Sequence, residues 1–264
     1  MDGISFPKLS DFTPDELVHL ADEHDDYAFG LALGSHPQMI AEDSFYEIIT
    51  GIKDPFANMA FGMNVPNAAS RVRSITKKLA YLGAPGYFWV GPHTKPDNLE
   101  EILVLNGWMY LAAPPAMLVD LNLLDETQVN ADLDLREVKT GEDMIQWQET
   151  VSKGFNLSLP VAQLFAKPDG TTMKYYTAFL HGEPVGTTAR IIHRDVPGIY
   201  CVSTLPEFRR RGIGATLTLL PLLDSRREGY RIGTLQASTL GLPIYTRLGF
   251  NEVCRIKLYG YGLP

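Results

Sequence analysis

The sequence is poor in cysteine: its 264 residues include only Cys201 and Cys254, with no metal-ligand spacing around them. Two thiols cannot build a disulfide framework, so they read as small core residues of a protein held in a reducing compartment, and no metal is expected. No run approaches 18 apolar residues, which argues against a membrane-spanning helix and a membrane partner. The opening Met1-Asp-Gly-Ile-Ser-Phe-Pro-Lys8 lacks a basic stretch followed by an apolar one, so a leader is not expected and the cytoplasm is the expected compartment. Bases are the minority sign, 23 against 31 acids for a net charge of -8, which disfavours nucleic acid as a partner.

What is present is an ordinary globular composition, 45% hydrophobic and 20% charged, at a length that suits one large domain or two of about 130 residues. The charge is unevenly divided. Residues 1–130 hold 18 acids and 7 bases, whereas residues 131–264 hold 13 acids and 16 bases. An acidic half and a mildly basic half point to two units with different tasks.

Thr13-Pro-Asp-Glu opens a helix over about 14–22, with a cap residue, proline at the first position and acids in the first turn. Phe45, Ile48 and Ile49 have helical spacing ahead of Gly51. A strand at 56–65, a helix at 67–82, a strand at 87–90, a helix at 98–106 and a strand at 116–121 follow. Residues 122–131, polar and aperiodic, read as a linker. The second half begins with an alternating strand at 133–138 and a helix opened by the capping box of Thr140 and Asp143, with Met144, Trp147, Val151 and Phe155 on one face. A short helix around 161–165, a hairpin of strands 174–180 and 185–192, and a strand at 198–203 come next. A helix to about 228, a strand at 232–237, a helix at 242–248 and a final strand pair within 251–261 complete a mixed sheet covered by helices.

Arg209-Arg-Arg-Gly-Ile-Gly-Ala215 lies between a strand and a helix that begins near Ile213. Two glycines let the backbone approach a ligand, and free amides at a helix N-terminus suit a pyrophosphate. The loop lacks the Gly-Lys-Ser/Thr ending of a P-loop and the first glycine of the dinucleotide fingerprint. Alone, it is equally a glycine-containing turn beside a solvated basic cluster.

About 30 residues on stands Leu242-Pro-Ile-Tyr-Thr-Arg-Leu-Gly-Phe250, and the hairpin turn reads Gly182-Glu-Pro-Val-Gly186. Together these resemble the GNAT superfamily of N-acyltransferases over residues 131–264. Arg209, Gly212 and Gly214 fill the family's Arg/Gln-x-x-Gly-x-Gly/Ala pyrophosphate motif, and Tyr245 before Gly249-Phe250 fills that of its general acid. The resemblance implies that Arg209, Arg210, Arg211, Gly212, Ile213, Gly214 and Ala215 hold acetyl-CoA. Val202, Ser203 and Thr204 would line the pantetheine arm on a splayed, bulged strand, with an amide near Val202 facing the oxyanion. Phe155, Asn156 and Leu157 would border the amine. A core aromatic is the other reading of Tyr245.

The strand offers no evident general base. Tyr200, Cys201 and Ser203 are unconvincing, His193 and Asp195 read as solvated turn residues, and a water relay is the expectation. Cys201 has no visible histidine partner and reads as a buried thiol.

The first half then looks like a worn copy of the latter part of the same fold. From Val65 to Gly107 is 42 residues, and from Val202 to Gly249 is 47. Pro66-Asn-Ala-Ala-Ser-Arg71 takes the place of the glycine loop, and Leu103 that of Tyr245. The alternative is an unrelated α/β domain.

The expected protein is therefore α/β (α+β), with two GNAT-like units, each a mixed, mainly antiparallel sheet flanked by helices. Residues 1–121 form a degenerate unit, 122–131 a linker and 132–264 the complete domain. The expected function is transfer of an acetyl or short acyl group from acetyl-CoA to a primary amine of a small molecule or peptide. A non-catalytic acyl-CoA-binding module is the alternative.

Overall fold

The computed structural model describes residues 6–263; Met1 to Ser5 of the opening segment lie outside them. Thr13 caps helix α1 (Pro14–Leu33): its Oγ1 accepts from the Glu16 N–H, and the Glu16 carboxylate accepts from the Thr13 N–H. The helix extends well past residue 22. Its middle buries Asp22, His24 and Asp25 beside Leu20, Ala21 and Ala28, and polar residues on the core side erase the apolar periodicity.

Strands β1 (Met39–Glu42) and β2 (Phe45–Ile49) form a hairpin in place of the expected helix. The same spacing arises in a short strand buried on both faces, as β2 largely is, and two adjacent isoleucines favour the extended backbone. Strand β3 (Asn58–Gly62), helix α2 (Ala68–Leu82), strand β4 (Gly86–Val90) and helix α3 (Leu99–Leu105) take the expected places. Strand β5 (Met109–Ala112) is additional: all four of its residues are exposed and show no alternation. Strand β6 (Pro115–Asp120) ends the first half.

Strand β7 (Leu133–Glu137), helix α4 (Gly141–Phe155), helix α5 (Leu159–Ala162), and strands β8 (Met173–Leu180), β9 (Glu183–His193) and β10 (Val196–Thr204) follow the expected order. Thr140 and Asp143 form the capping box of α4, and Trp147 stacks on Tyr175 at 4.4 Å. Phe155 leaves the core face and is exposed. The β8–β9 hairpin turns at His181 and Gly182, with φ of 53° and 86°. Helix α6 (Ile213–Glu228), strand β11 (Ile232–Gln236), helix α7 (Leu242–Arg247), and strands β12 (Asn251–Arg255) and β13 (Lys257–Tyr261) close the chain.

These elements make two mixed, mainly antiparallel sheets flanked by helices. One has the strand order β1-β2-β3-β4-β13-β5 and the other β12-β6-β11-β10-β9-β8-β7. The expected boundary does not separate them. Strand β6, from the first half, lies between β11 and β12, while β13, the last strand of the chain, lies between β4 and β5. The expected final pair is therefore two strands in different sheets. The crossings run side by side, and the Ile256 N–H donates to Pro114 O at 3.1 Å. Ile256 is buried in a cluster that joins Phe61 and Trp89 of one sheet to Ala116, Val196 and Ile232 of the other, with Leu20 and Ala21 of α1. Residues 122–131 are docked on α6: Asn130 N–H donates to Thr216 Oγ1, and the Arg226 guanidinium donates to Leu121 O and Leu124 O.

Removing a central strand leaves two neighbours without hydrogen-bond partners along the gap. Fragments 1–131 and 132–264 should each fail to fold alone and should fold when mixed. Amide dispersion in NMR spectra checks this, and a well-dispersed spectrum from either fragment alone would contradict it.

Candidate active site

Strand β10 pairs with β9 along its length but with β11 only at Gly198 opposite Thr234 and Ile199 opposite Leu235. Beyond Ile199 the two strands part. The β9–β10 register shifts between Tyr200 and Ser203, and Cys201 takes a left-handed φ of 52°. The bulge is held from below by Thr187, whose Oγ1 donates to Cys201 O at 2.9 Å, so Ser203 Oγ, 2.8 Å away, donates to Thr187. A Cβ at Gly154 of α4 would collide with the Ser203 side chain, so only glycine lets that helix pack here.

The gap between β10 and β11 opens into a cleft of about 970 Å³. Val202, Ser203 and Thr204 form one wall, and Ser238 to Gly241, after β11, form the other. Its floor is the start of α6. Arg210 and Gly212 both take left-handed backbone, φ 64° and 75°, and the Ile213, Gly214 and Ala215 N–H groups of the first helical turn face the missing preceding turn. A Cβ at Gly214 would make only ordinary contact with Ile244, at 3.5 Å, so protein packing does not require glycine there. Its bareness keeps backbone open toward the cleft.

Arginine dominates the charge of this cleft. Arg209, Arg210 and Arg247 line it, and none of its lining residues is acidic among the described residues. Arg209 also ties the strand end to α4, donating from Nε to Thr204 O and from Nη2 to Gly154 O, both at 3.2 Å. Arg211 is placed differently from its two neighbours: it is absent from the cleft lining, and its guanidinium lies 5.5 Å from the Phe208 ring centroid. Arg247 carries no motif signal in the sequence, although it stands two residues after Tyr245 on the same short helix.

Tyr245 is both core and cleft. It is 7% exposed, packs on Phe250 and lines the cavity. Burial pushes its phenol up to about 12, and the Thr218 hydroxyl beside it offsets part of that. Phe155 lines the cleft as well, whereas Leu157 packs into the core between the sheets. His193 is no free turn residue: it stacks on Tyr27 at 4.0 Å and approaches Glu23 of α1 at 3.5 Å.

The first half repeats this geometry with the cleft closed. β3 and β4 pair in parallel only at Met59–Tyr87 and Ala60–Phe88, and Asn67, with φ of 50°, stands at the start of α2 as Gly212 does at α6. There the strands are stitched again: Val65 N–H donates to Lys95 O at 2.8 Å and Lys95 N–H to Met63 O at 2.9 Å. The Asp22 carboxylate accepts from the His93 N–H at the same end, and Leu103 is core.

Residues 141–250 match the model of the acetyltransferase (GNAT) family. The C-terminal half thus carries the GNAT domain match, in a sheet completed by β6 of the first half. Over nearly the whole chain the fold is that of a GCN5-related N-acetyltransferase from Kribbella flavida, with a TM-score of 0.66 at 18% identity, covering 90% of this chain and 95% of that one. A GCN5-related N-acetyltransferase from Sphaerobacter thermophilus gives 0.56 at 14%, covering 98% and 95%. A tandem GNAT protein from the clavulanic acid biosynthesis pathway gives 0.52 at 13%, covering 97% of each. At such identities the likeness is one of fold. No curated protein matches the chain in sequence.

The GNAT domain's one cysteine at the bulge is chemically quiet. Burial pushes the Cys201 thiol up to about 12, and Cys254 of β12 likewise, with Asp22 and Asp25 nearby. At pH 8 both thiols should resist iodoacetamide by roughly 10³-fold relative to an ordinary thiol and react once the chain is unfolded. Mass spectrometry of the alkylated native protein checks this.

Proposed function

We propose that the protein is an acyl-CoA-dependent N-acyltransferase that moves an acetyl or short acyl group from acetyl-CoA to a primary amine by direct attack in a ternary complex. One observation carries the reading: a glycine loop with free helix amides and an arginine-lined wall leads into the gap where β10 leaves β11 at a bulge. The pyrophosphate accepts from the amides that begin α6, with Arg210 beside it. The pantetheine arm runs along Val202 to Thr204 and brings the thioester to the bulge, where a backbone N–H near Val202 polarises the carbonyl. Tyr245, kept protonated across the neutral range by its burial, donates to the departing thiolate. The first half, its own cleft closed, shapes the protein around that site. The two free thiols support a reducing compartment such as the cytoplasm. Among the described residues no helix is long and apolar enough to cross a membrane.

A second reading, an acyl-CoA-binding module without turnover, is favoured by one observation: no carboxylate or imidazole lines the cleft among the described residues.

Calorimetry with acetyl-CoA tests the first step, and no detectable affinity in the folded protein would overturn both readings. Gly214→Val, which projects a side chain toward the cofactor, should weaken binding at least about tenfold while leaving the melting temperature within a few degrees. Tyr245→Phe should lower kcat by about 10²-fold with little change in cofactor affinity. An unchanged kcat would return Tyr245 to a packing role.

A further inference from the structure

The acidic face of α1 meets the bulged strand at a closed hydrogen-bonded trio. Tyr200 Oη lies 2.7 Å from His24 Nδ1 and 3.0 Å from Asp25 Oδ1. His24 Nε2 lies 2.9 Å from Val196 O. A carbonyl only accepts, so Nε2 carries the proton, and in the neutral ring Nδ1 offers a lone pair. His24 is fully buried, and burial holds its imidazole down to about 4, so the ring is neutral. Strand β10 makes room for it with Gly198, where a Cβ would collide with the imidazole.

The trio is one proton short when Asp25 is ionised. The single Tyr200 proton then faces His24 Nδ1 and Asp25 Oδ1 at hydrogen-bond distance, with His24 O a longer third acceptor at 3.4 Å. With Asp25 protonated on Oδ1 both contacts of the Tyr200 hydroxyl become hydrogen bonds: Asp25 donates to Tyr200, and Tyr200 donates to His24. Asp25 is 4% exposed, its Oδ2 has no hydrogen-bond partner, and no lysine or arginine pairs with it among the described residues. Buried carboxylates without a counter-ion are costly, and one with an orphaned oxygen calls for a role.

The trio is tied to the strand that bears the proposed chemistry. Val196 to Ile199 are buried, but Tyr200, Cys201 and Val202 regain partial exposure at the bulge. Val202 packs with the α6 side of the sheet, whereas Tyr200 packs with α4 and α1 on the opposite side. Val202 and Tyr200 thus flank the bulge from opposite faces of the sheet, two residues apart, and an amine that reached the bulge from the α4 and α1 face would meet Tyr200, which does not line the cofactor cleft.

We propose that the first half of the chain supplies the missing proton acceptor: Tyr200 takes the proton from the attacking amine and passes its own to Asp25 of α1, with His24 orienting the hydroxyl. The inference rests on the acyltransfer reading above. As the amine nitrogen bonds to the thioester carbon, its N–H proton moves to Tyr200 Oη, and the Tyr200 proton moves to Asp25 Oδ1. The carbon–sulfur bond then breaks, and the thiolate takes its proton from Tyr245. Asp25 has gained one proton and Tyr245 has lost one, and exchange with solvent restores both. Tyr200 touches the amine, and Asp25 acts through it.

The titratable groups that act on Asp25 or feel it are Asp22 and Asp26 of its own helix, Tyr200 of β10 and Cys254 of β12; Glu23 and His193 lie on the same seam. Desolvation, with Asp22 adding repulsion, pushes the Asp25 carboxyl up to about 7. The ionised, accepting form therefore grows as pH rises through neutrality.

The test is CoA release from acetyl-CoA across a panel of primary amines, including polyamines, an aminoglycoside and a basic peptide, followed by a pH profile with any amine that turns over. Asp25→Asn should lower kcat/KM by about 10²-fold or more and abolish the rise with pH near 7, while acetyl-CoA affinity by calorimetry stays within about twofold of wild type. Tyr200→Phe should lose the same limb. The amine's own ionisation gives a limb common to all three proteins, so the comparison isolates the trio. Turnover that both variants retain with the wild-type profile overturns the relay and leaves acyltransfer standing. Acetyl-CoA binding without release for any amine overturns acyltransfer, and the relay with it.

Discussion

Two chain crossings hold this molecule together. Between Ala112 and Pro115 the chain leaves the first sheet for the second, and at Ile256 it returns, the two passages joined by a hydrogen bond from Ile256 to Pro114. Each sheet thereby takes an interior strand from the other half. Strand β6 is buried on both faces for this reason, and its continuous Pro-Ala-Met-Leu-Val run is that of a central strand. The exchange fixes the relative position of the halves, which in turn presses α1 against β6, β9, β11 and β12. Everything proposed for α1 at the active site depends on that placement.

The second dependency is the loss of pairing between β10 and β11. A parallel pair that continued past Ile199 would satisfy the backbone and leave no cleft, as the Val65–Lys95 stitching does in the first half. The two units differ at a few residues. Gly212 and Gly214 leave bare backbone where Asn67 and Ala69 stand, and the unpaired strands end beside arginines rather than beside Asp22. One shared geometry thus yields an anion-accepting cleft in one half and a filled seam in the other. The overall charge of -8 obscures the division: the cleft is basic, and part of the excess acid lies out of water on α1.

Local chemistry is readable in the sequence and long-range pairing is not. Thr13 and Thr140 mark their helices because a cap acts within one turn, and Gly212 to Ala215 open α6 for the same reason. The hairpin at His181-Gly182 is similarly local. The destination of β6 and β13 is invisible at this range, because an interior strand reads alike in either sheet. Phe45, Ile48 and Ile49 mislead because burial on two faces mimics a helical stripe. Arg211 groups with its neighbours by adjacency, yet the left-handed residues on either side turn it toward Phe208. Asp25 has no signal at all, since its meaning comes from a tyrosine 175 positions away.

That distance bears on why an unpaired acid persists in the seam. An acid whose folded pKa lies above its unfolded value, as Asp25 does at about 7 against 3.8, destabilises the fold as pH rises through that interval, because ionisation is easier in the unfolded chain. Above pH 7 the cost is on the order of a few kcal/mol, comparable to a large share of the stability of a typical domain. An asparagine in place of Asp25 would fill the same space, donate to Tyr200 from its amide and carry no such cost. A carboxylate therefore brings something to this position that stability does not, and the chemistry at the bulge, otherwise without a base on its walls, is where a proton acceptor has a use.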